Sequence, residues 1–206
     1  LAEGSDTSGM TRSIPIERIL EDCLIVWAMN GEALRAEQGY PVRLVVPGWE
    51  GNMWVKWIRR LEFGDKPYMT REETSKYTDL LSNGKARMFT WVMEAKSVVT
   101  SPSPEKPILQ KGVHQIRGLA WSGRGKIKRV DVSIDGGKNW KTSKLHGPVF
   151  SKSLSRFTFP LNWNGEELLI QSRAIDETGY VQPHIHELQK VRGLNSIYHN
   201  NSIATW

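Results

Sequence analysis

The feature that most constrains the fold is a stretch of alternating apolar and polar residues in the second half of the chain. Val130, Val132 and Ile134 alternate with polar side chains. This period of two is typical of a β-strand with one face packed and one face in water. Residues 135–137, Asp-Gly-Gly, then favour a tight turn, and Trp140 begins a return strand. The pattern predicts a β-hairpin.

Further short strands are predicted on either side of this hairpin, at residues 116–120, 157–161 and 168–174. Gly, Asn and Pro residues separate them at the spacing of an antiparallel sandwich. The second half is therefore predicted to be a β-sandwich.

The first half mixes element types. Residues 1–13 are polar and rich in Gly, Ser and Thr, which favours a loop. A short helix should follow at residues 14–20, with Ser13 as its N-cap and Pro15 in its first turn. Residues 24–29 are apolar and predict a buried strand.

The strand at residues 24–29 should end in a turn at residues 30–31, Asn-Gly, and a second strand is predicted at residues 42–46. In residues 55–63 the apolar side chains follow partly a helical and partly a strand-like spacing, so the pattern does not decide between helix and strand. Residues 64–95 are expected to form a long irregular excursion.

The length of 206 residues suits two units of about 100 residues each. Residues 100–107 hold three prolines and few apolar side chains, a composition typical of a linker. We place the domain boundary just before it, which gives domains at residues 1–96 and 97–206. No apolar run approaches the roughly 20 residues of a membrane-spanning helix, so we expect no membrane partner.

Charge and cysteine usage exclude several classes of function. The net charge is +6, and residues 105–206 alone carry +7. Their cations lie at scattered, alternating positions rather than in a stripe, so no nucleic-acid partner is expected. The single cysteine, Cys23, cannot form an internal disulfide, and no Cys/His cluster predicts a metal site. His184 and His186 lack a third ligand nearby and are expected to be solvated.

Two cations stand in apolar surroundings. Arg43 lies between Val42 and Leu44, and Lys56 follows Val55. One interpretation makes both of them outward-facing residues of alternating strands. The other directs them into a cleft, where a guanidinium fork and an ammonium group would bind a phosphate. Their spacing alone leaves both interpretations open.

Four segments of the first half resemble the later part of the molybdopterin domain of the sulfite oxidase family. They are residues 12–15 (Arg-Ser-Ile-Pro), 27–32 (Trp-Ala-Met-Asn-Gly-Glu), 39–48 (Gly-Tyr-Pro-Val-Arg-Leu-Val-Val-Pro-Gly) and 55–57 (Val-Lys-Trp). In the second half, residues 118–123, 130–137, 174–176 and 181–183 look like the immunoglobulin-like dimerisation domain of that family. The resemblance implies a mixed, mostly β fold: part of an α+β molybdopterin domain, followed by an immunoglobulin-like sandwich.

The resemblance also implies cofactor contacts. In the family, the residues matching Arg43, Trp54, Val55 and Lys56 hold the pterin and its terminal phosphate, partly through main-chain groups. Gln38 stands where sulfite oxidases have a histidine, and an amide can donate a hydrogen bond but cannot become a cation. Asp6 falls near the family's pterin-contacting aspartate.

Some family residues are not matched. The molybdenum-ligating cysteine lies in an upstream part of the domain, and Cys23 corresponds to a core position. We therefore expect no metal ligand in residues 1–206, and no turnover from these residues alone. Sulfite oxidases place a substrate-binding arginine where residues 198–201 here read Tyr-His-Asn-Asn. Asn200 is thus a candidate residue of the substrate pocket, suited to a bulkier, protein-bound sulfur group.

Three further segments, residues 48–54, 72–78 and 198–201, look most like the branch of this family that serves bacterial thiosulfate oxidation. The resemblance implies a periplasmic molybdenum-molybdopterin oxidoreductase that oxidises protein-bound sulfane on a sulfur-carrier protein. It would pass electrons to a cytochrome c and form homodimers through the sandwich. Two alternatives stay open: a sulfite dehydrogenase acting on free sulfite, and a non-catalytic dimerisation or docking module.

Overall fold

The computed structural model describes residues 1–194 and 199–206. The chain forms two compact units. The first is Leu1–Val92 with Arg192–Tyr198, and the second is Met93–Val191 with His199–Trp206. Among the described helices, none combines the length and the apolar character that crossing a bilayer requires.

The first unit is built from short strands joined by long loops. In chain order its elements are β1 (Ala2–Gly4), β2 (Thr11–Arg12), α1 (Ile16–Asp22), β3 (Leu24–Val26), β4 (Ala28–Met29), β5 (Glu32–Ala33), a 3-10 helix (Ala36–Gln38), β6 (Arg43–Val45), a second 3-10 helix (Gly51–Met53), β7 (Ile58–Leu61), a π-helical turn (Glu72–Lys76), β8 (Asp79–Leu80) and β9 (Ala86–Arg87). One sheet has the order β2-β1-β7, and the pairs β3-β6, β4-β5 and β8-β9 form two-stranded ribbons. All pairings are antiparallel.

Several predictions for this unit are confirmed. Helix α1 and strand β6 form where the pattern placed them. Asn30 and Gly31 both adopt a positive φ, of 53° and 84°, and close the β4-β5 hairpin. Asn and Gly are the residues that tolerate such backbone angles most readily.

Other predictions for this unit are wrong. Residues 1–13 are not all loop, because β1 and β2 pair with each other and β1 also pairs with β7. Ser13 does not cap α1: Pro15 is the N-cap residue, and the Ser13 hydroxyl accepts a hydrogen bond from the Tyr68 N–H. The segment 24–29 is two short exposed strands rather than one buried strand. Strands β3 and β4 each have one partner strand, and Leu24, Ile25, Trp27 and Met29 are 56%, 47%, 70% and 51% exposed.

The core of the first unit lies around strand β6 and the loop that follows it. Ala2, Ile14, Leu44, Val46, Trp49, Met53 and Val55 form its buried cluster. Cys23 packs against this cluster, as the resemblance implied, and its thiol donates to the Arg18 carbonyl at 3.3 Å. Arg43 and Lys56 flank this core in sequence, so the packing that fixes β6 and Val55 also positions the two cations.

The second unit is an antiparallel sandwich. Its elements are β10 (Lys96–Ser101), β11 (Gly112–Trp121), β12 (Ile127–Ser133), β13 (Lys141–Thr142), β14 (Lys144–His146), β15 (Ser155–Trp163), β16 (Gln171–Asp176) and α2 (Ile185–Arg192), whose last residue belongs to the first unit. One sheet has the order β10-β11-β15-β14 and the other β13-β12-β16. The predicted hairpin is β12-β13, with Asp131 opposite Thr142. Thr100 and Ser101 belong to β10, although their composition suggested a linker.

The packing of the sandwich core explains why residue 118, on strand β11, is a glycine. Gly118 faces inward, where a Cβ atom would lie 2.2 Å from the Phe157 ring and 2.4 Å from the Val98 carbonyl oxygen. The ring of Phe157 occupies the space that any other residue at position 118 would need. Close-packed interiors have no room for such an addition.

The predicted alternation of β12 does not appear in its burial. Asp131 and Ser133 are buried along with Val130 and Val132. Asp131 is stabilised by ion pairs to Arg129 and Arg173, at 3.0 and 3.2 Å. Paired in this way, a carboxylate tolerates burial at a position where the sequence pattern predicted exposure.

A buried amide joins the two sheets of the sandwich. The Gln182 Oε1 atom accepts hydrogen bonds from the Ser97 N–H at 2.9 Å and from the Ala174 N–H at 3.1 Å, and lies 2.8 Å from the Ser97 hydroxyl. Its Nε2 atom donates to the Ser202 carbonyl at 3.2 Å. Gln182 is 1% exposed, so water cannot replace these contacts.

Gln182→Leu should therefore lower the free energy of unfolding by about 2–4 kcal/mol, because it leaves two buried backbone N–H donors without an acceptor. Urea unfolding followed by tryptophan fluorescence measures the loss. Gln110→Leu, at an exposed position of the same unit, is the control and should change the value by less than about 0.5 kcal/mol. Equal losses in the two variants would contradict this role for Gln182.

Candidate functional site

Arg43 is anchored by backbone carbonyls. It lies on β6, and its two terminal nitrogens donate to the Gln38 carbonyl at 2.9 Å and to the Trp54 carbonyl at 3.2 Å. Its guanidinium carbon also lies 5.8 Å from the centre of a Trp54 ring. The side chain is half-buried, and burial lowers the pKa of Arg43. These contacts exclude the interpretation of Arg43 as a freely solvated strand residue.

Lys56 contacts the same 3-10 helix, Ala36–Gln38, as Arg43 does. Its ammonium group donates to the Glu37 carbonyl at 2.7 Å, next to the Gln38 carbonyl that Arg43 uses. The neighbouring Trp57 indole N–H donates to the Ala36 carbonyl at 2.9 Å. Three consecutive carbonyls of the 3-10 helix thus hold the two cations and an indole together, and the two predicted phosphate-binding residues converge.

Glycine at position 39 allows this close approach. Gly39 has φ 108°, and a Cβ atom there would lie 2.8 Å from the Lys56 Cβ atom. Both the backbone angle and the contact disfavour any larger residue. Gln38, just before it, uses its side-chain oxygen to accept a hydrogen bond from the Arg35 N–H at 3.0 Å. The side-chain NH2 group of Gln38 is the part that could face a ligand.

The loop that carries Asp6 lies against the same backbone. The Ser5 N–H donates to the Trp57 carbonyl at 2.8 Å, and a Cβ atom on Gly4 would lie 2.6 Å from the Lys56 carbonyl oxygen. Asp6 accepts hydrogen bonds from the Met10 N–H and the Ser8 hydroxyl, and chiefly the former lowers the pKa of Asp6. Asp6 is therefore an anionic acceptor on a loop whose backbone is hydrogen-bonded to Trp57.

The segment between Trp54 and Ile58 offers main-chain donors beside the cations. The N–H groups of Val55, Lys56 and Trp57 form no hydrogen bond with any described residue. The Arg43 Nε atom is buried and also has no partner within the described part of the chain. Arg43 and Lys56 each keep further N–H donors beyond those used above. This concentration of free donors and positive charge fits a phosphate group, as the terminal phosphate of a pterin cofactor requires.

Trp57 holds an unusual backbone conformation. Its φ is +50°, in the left-handed region that bulky residues seldom occupy. Such strain costs on the order of 1–3 kcal/mol and persists only where surrounding contacts maintain it. Here the indole hydrogen bond to Ala36 provides one such contact.

The loop at residues 47–54 joins the Arg43 strand to Lys56, and aromatic stacking fixes it. Trp49 stacks on Trp91 with ring centres 4.8 Å apart and planes 6° apart. The Glu50 N–H donates to the Trp91 carbonyl at 2.7 Å, and the Trp54 indole N–H donates to the Trp49 carbonyl at 3.1 Å. The positions of both cations therefore depend on this loop.

A buried ion pair lies beneath the loop. Arg12 and Glu73 are both 0% exposed, with the Arg12 Nε atom 3.2 Å from a Glu73 oxygen and 2.8 Å from the Met53 sulfur. The Arg12 guanidinium also lies 4.6 Å from the centre of the Tyr77 ring. Burial lowers the pKa of Arg12 and raises that of Glu73, and the attraction between the two charges opposes both shifts.

Glu50, the acidic residue of this loop, has a strongly shifted pKa. Burial raises the pKa of Glu50 to about 7, against hydrogen bonding from Asn52 and attraction to Arg192 and Arg12. The Asn52 side-chain NH2 group donates to a Glu50 oxygen at 3.0 Å. A substantial fraction of Glu50 is therefore protonated and uncharged near neutral pH.

A separate cavity of about 680 Å³ opens in the first unit. Its lining is mainly apolar and runs from α1 and β3 to residues 61–68. Cys23 lies on its wall, but neither Arg43 nor Lys56 does. The cavity and the cation pair are therefore two distinct features of this unit.

The remaining candidate residues, Asn200, His184 and His186, lie at exposed positions. Asn200 belongs to the second unit and is exposed. Its side-chain oxygen accepts hydrogen bonds from the Ser202 N–H and hydroxyl, and its carbonyl accepts one from Lys96. Tyr198, quoted beside it in the resemblance, lies outside the described residues. His184 and His186 are exposed near the start of α2, and His184 packs edge-on against Trp140 at 6.4 Å.

Sequence reasoning missed the residues that support the site. Arg12 and Glu73 are far apart in sequence and show no local pattern, and Glu50 looked like an ordinary loop acid. The available signal was an arginine inside the quoted segment 12–15, just before an apolar helix. Its partner could be found only from the fold.

Two family models match the chain. Residues 1–72 match the oxidoreductase molybdopterin binding domain, and residues 87–206 match the Mo-co oxidoreductase dimerisation domain. The second match alone covers more than half of the chain. The two matched domains follow one another in the order expected from the sequence.

Individual relatives agree with these matches. Sulfite oxidase of Gallus gallus is 33% identical over 193 residues, which are 83% of this chain and 40% of that protein. The mitochondrial sulfite oxidase of Homo sapiens is 30% identical, over 87% of this chain and 36% of that protein. NADH nitrate reductase 2 of Nicotiana tabacum is 30% identical, over 79% of this chain and 21% of that protein. The chain thus spans less than half the length of these relatives.

A solved structure is similar along the whole chain. The sulfane dehydrogenase SoxCD from Paracoccus pantotrophus is 59% identical, with a TM-score of 0.95, and the match covers 100% of this chain and 53% of that chain. The fold of both units is therefore that of an experimentally determined protein.

We expect the stability of this protein to depend on the charge of Glu50. A carboxyl whose pKa rises on folding destabilises the folded state as the pH climbs from its ordinary 4.5 to about 7. Glu50→Gln removes that cost, so its advantage over the wild type should grow by up to about 3 kcal/mol between pH 5 and pH 8. Urea unfolding at both pH values measures it.

The control for this experiment is Glu17→Gln, which removes one exposed negative charge from the same unit. If both variants gained equally between pH 5 and pH 8, the burial of Glu50 would not be the cause.

Proposed function

Since the chain belongs to the sulfite oxidase family of molybdopterin oxidoreductases, we propose that it forms part of an enzyme that oxidises protein-bound sulfane during thiosulfate oxidation. Residues 1–96 would supply one wall of the pterin pocket, and residues 97–206 would supply the dimerisation domain. The cofactor is molybdenum-molybdopterin, which supplies the two-electron redox chemistry when bound. The described residues contribute binding and electrostatics.

The observation that carries the proposal is the convergence of Arg43 and Lys56 on adjacent carbonyls, beside a run of free main-chain N–H groups. An Arg fork and a Lys ammonium on one phosphate neutralise its charge and fix its orientation. Gln38 would add an amide donor. Asp6 would accept a hydrogen bond from a ring N–H, and Trp54 and Val55 would contribute main-chain groups.

The substrate assignment depends on Asn200. An amide at the position of the family's substrate arginine offers no positive charge to a small free dianion. A sulfur group carried on a protein brings its own contact surface and needs less charge recognition. The 59% identity to a sulfane dehydrogenase supports this choice, while the 33% identity to a sulfite oxidase keeps free sulfite as the alternative substrate.

The remaining parts of the proposal concern partners and location. Electrons would leave to a cytochrome c, two subunits would pair through their sandwich domains about a two-fold axis, and the enzyme would act in the periplasm. Cys23, the one cysteine of the sequence, packs against the core cluster of the first unit. We propose that the molybdenum ligand is not among residues 1–206, so that these residues alone would not turn over substrate.

We expect Arg43→Ala and Lys56→Ala to reduce retention of the pterin in the complete enzyme, each by about tenfold or more in affinity, because each removes a charged contact worth about 1.5–3 kcal/mol. Pterin released by oxidation and measured by fluorescence, per mole of folded protein, gives the result. Lys85→Ala is the control, since Lys85 is an exposed cation of the same unit.

Full pterin content in both site variants, with circular dichroism unchanged, would contradict the phosphate assignment. Arg43→Lys refines the test, because it keeps the charge and removes the planar fork. Its pterin content should lie between the wild type and Arg43→Ala.

Asn200→Arg tests the substrate assignment. In the complete enzyme the added cation should raise kcat/KM for free sulfite and lower it for a carrier protein bearing a cysteine-linked sulfane. The ratio of the two values should shift about tenfold or more toward sulfite, as expected for one charged contact. An unchanged ratio would remove Asn200 from the substrate pocket.

A further inference from the structure

We propose that the outer face of the four-stranded sheet of the second unit docks an acidic surface of a partner protein. Arg117, Lys144 and Arg156 present this face, which we call the cationic face. The inference goes beyond the cofactor site, because all three residues belong to the sandwich. It rests on the proposed function only in the choice of partner used to test it.

The register of the sheet brings the three cations together. Arg117 on β11 and Lys144 on β14 both pair with Thr158 of β15, one from each side. Their Cα atoms are therefore two strand spacings apart, about 10 Å. Arg156 lies two residues along β15, on the same face and about 7 Å from Thr158. Inward neighbours such as Ile116 and Phe157 are buried, which confirms that the cations point outward.

No acidic residue balances these charges within the sheet. Strands β10, β11, β14 and β15 contain no Asp or Glu. All three cations are exposed, and none forms a side-chain hydrogen bond or ion pair with a described residue. Their separations are close to the Debye length of about 8 Å at physiological salt, so their fields add up.

The opposite sheet shows that this imbalance is local. On β12 and β16 the cations Arg129 and Arg173 both pair with Asp131, at 3.0 and 3.2 Å. Arg173 also lies 4.3 Å from the centre of a Trp140 ring. On that sheet the two arginines have a buried carboxylate as partner, whereas Arg117, Lys144 and Arg156 have none on theirs.

The positive charge of the cationic face determines which kind of partner can bind to it. A second copy of this chain, docked by the same face about a two-fold axis, would place three cations against three cations, which is electrostatically unfavourable. An acidic protein surface gains from the same field, which also accelerates its association. Val113, which is 82% exposed, and Pro160 lie on the same face and offer apolar contact at the rim. A flat, mixed face of this kind fits a transient protein partner.

The test uses the complete, cofactor-loaded enzyme and a c-type cytochrome of negative net charge as the probe. The variant is the triple charge reversal Arg117→Glu, Lys144→Glu and Arg156→Glu. It should weaken cytochrome binding in biolayer interferometry at low ionic strength by at least tenfold. Most of the salt dependence of the association rate should disappear with it.

The control variant is Lys128→Glu, Lys138→Glu and Lys141→Glu. It makes the same change in net charge at exposed positions of the other sheet and its turn. Its binding should stay within about threefold of the wild type. Equal losses in the two variants would show a response to net charge alone and would overturn the proposal.

Two further measurements separate the other occupants. If the triple variant sediments as a smaller species than the wild type, the face is a contact between copies. If the wild type binds vesicles containing phosphatidylglycerol through this face but not the cytochrome, the face binds lipid. Either result overturns the proposal.

Ferricyanide, a small electron acceptor that needs no protein docking, separates this proposal from the proposed function. A wild-type enzyme inactive with both sulfane and sulfite in the presence of ferricyanide would refute the function and leave the binding result standing. An enzyme active with ferricyanide whose triple variant still binds the cytochrome normally would refute only the docking face.

Discussion

The buried guanidinium of Arg12 is the contact on which the geometry of the candidate site depends. It meets Glu73, the Tyr77 ring and the Met53 sulfur, and so ties the π-helical turn to the loop at residues 47–54. That loop connects the strand of Arg43 to Lys56. Removing one partner of a buried ion pair leaves an uncompensated charge, which typically costs 3–5 kcal/mol. The two cations proposed to bind the phosphate therefore depend on a residue that would not itself touch the cofactor.

Much of the fold could be predicted from the sequence, because its strands are short, regularly spaced and separated by strong turn residues. The β12-β13 hairpin and the Asn30-Gly31 turn follow from local chemistry alone. The exposure of residues 24–29 could not be predicted, since an apolar run is buried only where another element covers it. The burial of Asp131 was also missed, because one of its two arginine partners, Arg173, lies on a strand distant in sequence.

The sequence singled out Arg43 and Lys56, whose phosphate role stays a prediction, but it did not indicate the residues that hold them in place. Arg43 and Lys56 stand out as cations in apolar surroundings, and the family resemblance assigned them a phosphate. Their anchors are the carbonyl oxygens of Glu37 and Gln38, and backbone oxygens carry no signature in a sequence. The raised pKa of Glu50 arises from burial, which likewise depends on the folded surroundings rather than on neighbours in sequence.

The left-handed backbone of Trp57 couples the parts of this site. A bulky residue holds such a conformation only against a restoring force, and the indole bond to Ala36 supplies part of the restraint. If the 36–38 segment moved, Trp57 would relax toward ordinary angles and carry Lys56 away with it, while Arg43 would lose its Gln38 anchor. Loss of order in the 36–38 segment would thus displace both Arg43 and Lys56. At the proposed phosphate site, the positions of Arg43 and Lys56 therefore depend on one another through the 36–38 segment.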